Sequence, residues 1–183
     1  LNYADELVEI IKSDFSLMTI LLAVKSLNIP DCWICAGVLR NKVWDVLHNT
    51  HTTLNDIDVI FFHKNDLTIE TEKKYEAQLH SLIPNLPWSV KNQARMHMKN
   101  HLQPFSSSFD AISHFPETAT AIGARLVNNQ IEIIAPHGLT DLFELKIKPS
   151  PKYMNTEKLH PIFQQRVTTK KWNTTWTNLI LVN

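Results

Sequence analysis

Ala36-Gly37-Val38-Leu39-Arg40-Asn41-Lys42-Val43-Trp44-Asp45 and, further on, Asn55-Asp56-Ile57-Asp58-Val59-Ile60-Phe61-Phe62 decide how this chain folds. The apolar run Cys32 to Ala36 reads as a buried strand, Gly37 opens a helix that runs to about His48, and Asp56 to Phe62 reads as a second strand. Asp56 and Asp58 stand two apart on that strand and therefore point to the same side. Two carboxylates isolated at the mouth of a sheet repel and raise one another's pKa. A divalent cation resolves the conflict, because hard oxygen ligands suit Mg²⁺ (or Mn²⁺), which also takes phosphate oxygens. At Gly37 a strand passes into a helix, so the backbone amides of that helix N-terminus can face a phosphate. A simple turn glycine is the other reading of the position. Arg40 and Lys42 add positive charge near the turn, with Asn41 between them.

Working outward, Tyr3 to Ser13 and Phe15 to Leu27 carry apolar residues at helical spacing, with Ser13-Asp14 as a cap between them. Asn28-Ile29-Pro30 ends the second helix. Ile69 to Leu82 predicts a helix stopped by Pro84 and Pro87. Trp88 to His97 alternates like a third strand, and Asp110 to His114 predicts a short helix after a serine-rich loop. Thr118 to Val127 and Gln130 to Ala135 read as strands joined at Asn128-Asn129, a pair that tolerates positive φ. A helix or strand follows around Asp141 to Ile147, Pro149 and Pro151 mark a linker, and a final helix is expected from Pro161 to about Lys171. The alternation predicts an α+β, α/β-like sheet covered by helices.

The 183 residues suit one domain with a real core, and 44% hydrophobic with 20% charged residues are globular values. Lysine plus arginine equals aspartate plus glutamate at 18 each, so no global basic field draws the chain to nucleic acid. Cys32 and Cys35 have a Cys-x-x-Cys spacing, but on a strand residues three apart face opposite ways, and no second Cys/His pair lies nearby. They read as buried hydrophobes, which fits a reducing cytoplasmic setting. The opening stretch carries Asp5, Glu6 and Glu9 where a signal peptide needs basic residues, and Leu17 to Val24 is too short to cross a bilayer. The expectation is a cytoplasmic protein with no membrane partner.

A strand–glycine–helix unit followed by a strand opening with Asp-x-Asp resembles the nucleotidyltransferase superfamily that includes DNA polymerase beta. The whole chain resembles a bacterial nucleotidyltransferase-like branch, formerly a domain-of-unknown-function family. The resemblance runs through Cys32 to Phe62, Val90 to His97, Pro116 to Arg125, Ala135 to Phe143 and Lys171-Trp172, covering roughly Asp14 to Trp176. It implies a nucleotidyltransferase fold with a mixed β-sheet flanked by helices: N-terminal helices over residues 1–30, a core over 31–148, and a linker and helix over 149–183 in the same domain. It also implies that Asp56 and Asp58 ligate metal and that Gly37 lies against a nucleoside triphosphate; Arg40 and Asn41, beside that turn, are further nucleotide-binding candidates, and the sequence names no acceptor.

The superfamily's third carboxylate is missing from the strand expected at Ser89 to His97. That segment instead offers Lys91, Gln93, Arg95 and His97 on one face, either a phosphate-binding row with Lys91 and Arg95 foremost or a solvated sheet face. Glu132, flanked by apolar residues, is the best remaining third acid, with an outward charge on a hairpin as the alternative. The nine histidines do not cluster at metal spacing. Trp172 and Trp176 read as packing residues, and no P-loop motif is present. Three functions stay open: nucleotidyl transfer with Mg²⁺, a catalytically degenerate nucleotide- or metal-binding module, and, least favoured, RNA binding through Lys91, Arg95, His97 and Lys99.

Overall fold

The computed structural model describes residues 2–182, the side chain of Asn100 excepted. In chain order the elements are α1 (Tyr3–Ser13), α2 (Phe15–Ser26), β1 (Trp33–Cys35), α3 (Gly37–His48), β2 (Ile57–Phe61), α4 (Ile69–Leu82), β3 (Trp88–Asn92), α5 (Gln93–Met96), α6 (Ser108–Ser113), β4 (Gly123–Val127), β5 (Gln130–Ile134), α7 (Thr140–Phe143), β6 (Lys146–Ile147), α8 (Pro151–Asn155), α9 (His160–Lys170), α10 (Trp172–Thr175) and β7 (Ile180–Leu181). Short 3₁₀ turns at His97–Asn100 and Thr118–Thr120 complete them.

Five strands form a mixed sheet in the order β3-β2-β1-β4-β5, with β2 and β3 parallel and the other neighbours antiparallel. This is the helix-flanked mixed sheet expected from the sequence. The two-residue period of the strands divides the core. Ile34, Val59, Phe61, Val90 and Ala124 face the main cluster, built with Leu7, Ile20, Leu39, Trp44 and Leu79 from α1, α2, α3 and α4. Trp33, Cys35 and Ile60 face a smaller cluster with Ile112 and Ala121. Cys32 belongs to the first cluster and Cys35 to the second, so the two buried thiols are free and lie on opposite sides. Burial pushes the Cys32 thiol up to about 12 and Cys35 well above its ordinary range.

The third strand is shorter than its alternation suggests. It ends at Asn92, whose fully buried amide turns the chain: Asn92 Oδ1 accepts from the N–H of Ala94 and His63, and Nδ2 donates to the carbonyls of His63 and Asp66. By alternation Asn92 falls with the apolar set Trp88, Val90, Ala94 and Met96, where it is the one polar residue. Gln93, Arg95 and His97 consequently occupy a helix and a 3₁₀ turn, not a strand face. The outer edge of β3 is covered by α4, where Glu76 accepts from Val90 N–H and buried Glu72 accepts from Asn92 N–H.

Other boundaries move for similar reasons. Thr118 to Thr120 forms a 3₁₀ turn ahead of β4, because Glu117 and Thr120 are drawn to arginines of other elements. The Asn128-Asn129 hairpin has φ of 48° and 62°, as that turn requires. Past α7, Pro149 forms a bridge with Glu117 and Pro151 starts α8, where a linker was expected. β7, which pairs parallel with β6, has no counterpart among the elements expected from the sequence. No helix among the described residues is long and apolar enough to cross a membrane.

Asp45, buried near the end of α3, ties three segments together. Its Oδ2 accepts from Thr52 N–H and hydroxyl, both at 2.9 Å, and its Oδ1 accepts from Trp176 Nε1 at 2.9 Å. Removing an acceptor that satisfies buried donors strands them. Asp45→Ala is expected to lower stability by about 2–4 kcal/mol in urea denaturation. A loss under about 0.5 kcal/mol, the range of ordinary surface changes, would show that these bonds do not hold the segments.

Candidate active site

The turn between β1 and α3 puts its conformational demand on an unexpected residue. Ala36 carries φ 62° and ψ −125°, a region that favours glycine, while Gly37 is already the first residue of α3. A Cβ at Gly37 would meet only the Arg40 guanidinium, at 3.7 Å, so glycine here keeps a cavity floor open instead of supplying the turn. Ala36 provides no side-chain cap. The N–H groups of Gly37 and Val38 are therefore left for water or a ligand, at the positive end of the helix.

These residues line a cavity of about 360 Å³ shared with Arg40, Asn41, Thr52 to Asp56, Asp58, Thr120, Arg166, Lys170 and Trp172. Asp56 lies just before β2 and is exposed; Asp58 is half-buried within it, opposite Cys35 on β1. Burial raises the carboxyl pKa of both. For Asp58 the rise reaches about 6, through burial first and the neighbouring Asp56 charge second, with Arg166, Arg40 and Lys170 pulling the other way. Strand geometry thus brings two carboxylates together at one face, as expected.

Arg40 is buried against Trp172 and Trp44, its guanidinium carbon 4.6 and 5.0 Å from the ring centres. Burial lowers its pKa to about 10, which leaves it charged at neutral pH. It donates through Nη1 to Thr120 Oγ1 at 2.8 Å and through Nε and Nη2 to Asn41 Oδ1 at 3.2 and 2.8 Å. Because arginine only donates, this contact turns the Asn41 amide so that its NH₂ remains available.

Other candidates fall outside the cavity. Lys42 pairs with Asp14, the N-cap of α2, at 2.6 Å. Arg95 makes a two-pronged pair with Glu72, both bonds at 2.7 Å, because the chain has already left the strand. Lys91 shares the face of Asp58, lies 3.9 Å from Glu72, and reaches Asp56 only as a distant charge. Glu132 is on β5, three strands from β2, or about 14 Å at ordinary strand spacing. It pairs there with its register partner Arg125 at 2.7 Å, and Arg125 stacks on Trp33. The structure therefore corrects the expected third acid: Glu132 is an outward hairpin charge. Among the described residues no group of three or more His, Cys, Asp or Glu converges.

The residues missed in the sequence are Arg166 and Lys170 on α9. They are four apart, which puts them on one helical face, but nothing local says what that face meets. Buried Glu117 anchors Arg166 through bonds of 2.6 and 3.1 Å and so holds α9 over the carboxylates. Trp172 and Trp176 pack edge-on to Trp44, as expected of packing residues, and form the far wall.

The nucleotidyltransferase family pattern matches residues 22–181. A solved NMR structure described as revealing a CCA-adding enzyme head domain has a TM-score of 0.87 at 34% identity, over 98% of this chain and 95% of that one. A CCA-adding enzyme in complex with CTP has a TM-score of 0.62 at 13% identity, over 98% of this chain and 43% of that one, a likeness of fold alone. No curated protein matches. The chain belongs to the nucleotidyltransferase family.

Proposed function

We propose that the chain transfers a nucleoside monophosphate from a nucleoside triphosphate to an acceptor hydroxyl, with Mg²⁺ or Mn²⁺ held by Asp56 and Asp58. The observation that carries this reading is one cavity that joins both carboxylates, the uncapped amides of α3 and the cations Arg166 and Lys170. The donor set fits a hard cation, since burial raises both carboxyls and the Asp56 charge raises Asp58 further, a cost that a divalent charge relieves, and phosphates and water supply its other ligands. When bound, the metal supplies neutralisation of the triphosphate and of charge developing on the transferred phosphoryl group. Gly37 and Val38 donate backbone N–H groups to phosphate oxygens. Arg166 and Lys170 add positive charge where the pyrophosphate leaves. Arg40 holds the Asn41 amide toward the cavity, and Lys91 adds a weaker field. Arg95 and Glu132 take no part.

Titration calorimetry with the four ribonucleoside triphosphates tests this reading. Wild type is expected to bind in a manner dependent on Mg²⁺ or Mn²⁺, and the Asp56→Ala/Asp58→Ala variant to lose at least tenfold in affinity. Equal metal-dependent binding by the folded double variant would remove the two carboxylates from the site.

Carboxylate burial also predicts a pH signature. Asp58 titrates near 6 in the folded chain, against an ordinary value of 3.8. The folded state therefore binds more protons through this group between those values, and stability falls as pH rises through that window. Asp58→Asn removes the penalty. At pH 7 without metal the variant is expected to be about 1–2 kcal/mol more stable than wild type, a margin discounted for solvent screening and shrinking to nothing near pH 4. A variant less stable than wild type at pH 7 would contradict the charge balance described here.

A second reading, nucleotide binding without transfer, is favoured by the lack of a third converging acid among the described residues. Metal-dependent binding with no pyrophosphate released across acceptors would select it.

A further inference from the structure

The cavity of Asp56 and Asp58 has two unlike ends, and α3 supplies its scale. Gly37, Asn41 and Asp45 are four apart, so they stand above one another on one helical face at steps of about 6 Å. The carboxylates belong to the Gly37 level, since Asp58 is the register partner of Cys35, two residues before Gly37. Arg166 and Lys170 act on Asp58 there. The other two walls converge at Asp45. It accepts from Thr52, in the loop that leads on to Asp56, and from Trp176, in the tail that follows Lys170. Leu54, Trp172 and Trp176 thus wall the end of the cavity away from the carboxylates.

Donors at that end are largely spent. Thr52 gives its N–H and hydroxyl to Asp45, as Trp176 gives its Nε1. Asn41 is different. Its Oδ1 accepts from both Nε and Nη2 of Arg40, which can only donate, so the amide cannot turn over without setting donor against donor. Its Nδ2 lies on a residue that lines the cavity, bonds to no described residue, and is not shut away from solvent. A side chain that ordinarily offers a donor and an acceptor is reduced here to a donor.

Resting on the reading that this cavity binds a nucleoside triphosphate, we infer that Asn41 reads the base and selects guanine and uracil over adenine and cytosine. With the phosphates at the Gly37 and Val38 amides, the nucleoside extends along α3 toward Asp45, between Leu54 and the two tryptophans. Asn41 stands one turn beyond the phosphates and presents N–H to the base edge. Guanine and uracil carry a carbonyl oxygen there, at O6 and O4, where adenine and cytosine carry an amino group. The carbonyl accepts from Asn41, whereas the amino group sets donor against donor in a walled space. The Thr53 and Thr175 hydroxyls also line the cavity, but a hydroxyl donates or accepts and so does not discriminate. Arg40 is the positioning residue, because it keeps the Asn41 oxygen turned from the base.

Titration calorimetry in Mg²⁺ tests this with the four ribonucleoside triphosphates and inorganic triphosphate, on wild type, Asn41→Asp and Asn41→Ala. Wild type is expected to bind GTP and UTP about tenfold more tightly than ATP and CTP, the order of one hydrogen bond exchanged for two facing donors. Asn41→Asp keeps the pair with Arg40 and presents an acceptor, so the preference is expected to reverse toward ATP and CTP whatever the overall affinity. Asn41→Ala is expected to bind all four within about threefold of one another, and inorganic triphosphate as wild type does. Equal binding of the four by wild type, a wild-type preference for ATP or CTP, or a preference that does not reverse in Asn41→Asp would each overturn the inference. So would an Asn41→Ala loss as large for inorganic triphosphate as for GTP, which would put Asn41 on the phosphates. A wild type that binds no triphosphate would overturn the underlying reading instead, a separate and recognisable result.

Discussion

Two carboxylates facing one cavity, Asp58 within β2 and Asp56 just before it, are the constraint around which this structure is arranged. Asp58 sits between buried Ile57 and Val59, so the sheet fixes its direction and takes away much of its water. Burial and Asp56 together make its charge costly, which is why its pKa rises to about 6 even with three cations nearby. The surroundings lessen the conflict without ending it. Arg166, Arg40 and Lys170 come from two distant helices, and the α3 amides add the positive end of a helix.

Holding those cations in place takes buried polar bonding of its own. Glu117 fixes Arg166, and so the line of α9, while Thr120, Asn41 and two tryptophans fix Arg40. Asp45 then joins α3 to the loop before Asp56 and to Trp176 past α10. In each case an ionised or polar group sits deep in the chain with its partners supplied, the condition under which such burial is tolerated.

Much of the sheet was legible in the sequence because strand patterning is local. Cys32 to Ala36, Asp56 to Phe62 and the Asn128-Asn129 hairpin declared themselves by apolar runs and turn residues, and the Asp-x-Asp spacing sufficed to put Asp56 and Asp58 on one side. What the sequence hid was long-range. Arg166 is 108 residues beyond Asp58 in numbering, and the pair it makes with Glu117, itself distant, helps bring them together. Glu132 looked suitable by its neighbours, yet the strand order β3-β2-β1-β4-β5 carries it away from β2. The polar row of β3 dissolved because one buried asparagine caps a helix where alternation suggested more strand. Gly37 misled in a smaller way, since the strained φ belongs to Ala36 beside it.

The divalent cation proposed at Asp56 and Asp58 would sit beside the α3 N-terminus, where substoichiometric Mn²⁺ can be followed by paramagnetic broadening of the amide NMR spectrum. Selective loss of the Asp56, Asp58, Gly37 and Val38 resonances is expected, reversed by excess Mg²⁺ and absent in Asp58→Asn. Broadening centred elsewhere, or unchanged in that variant, would contradict the proposal.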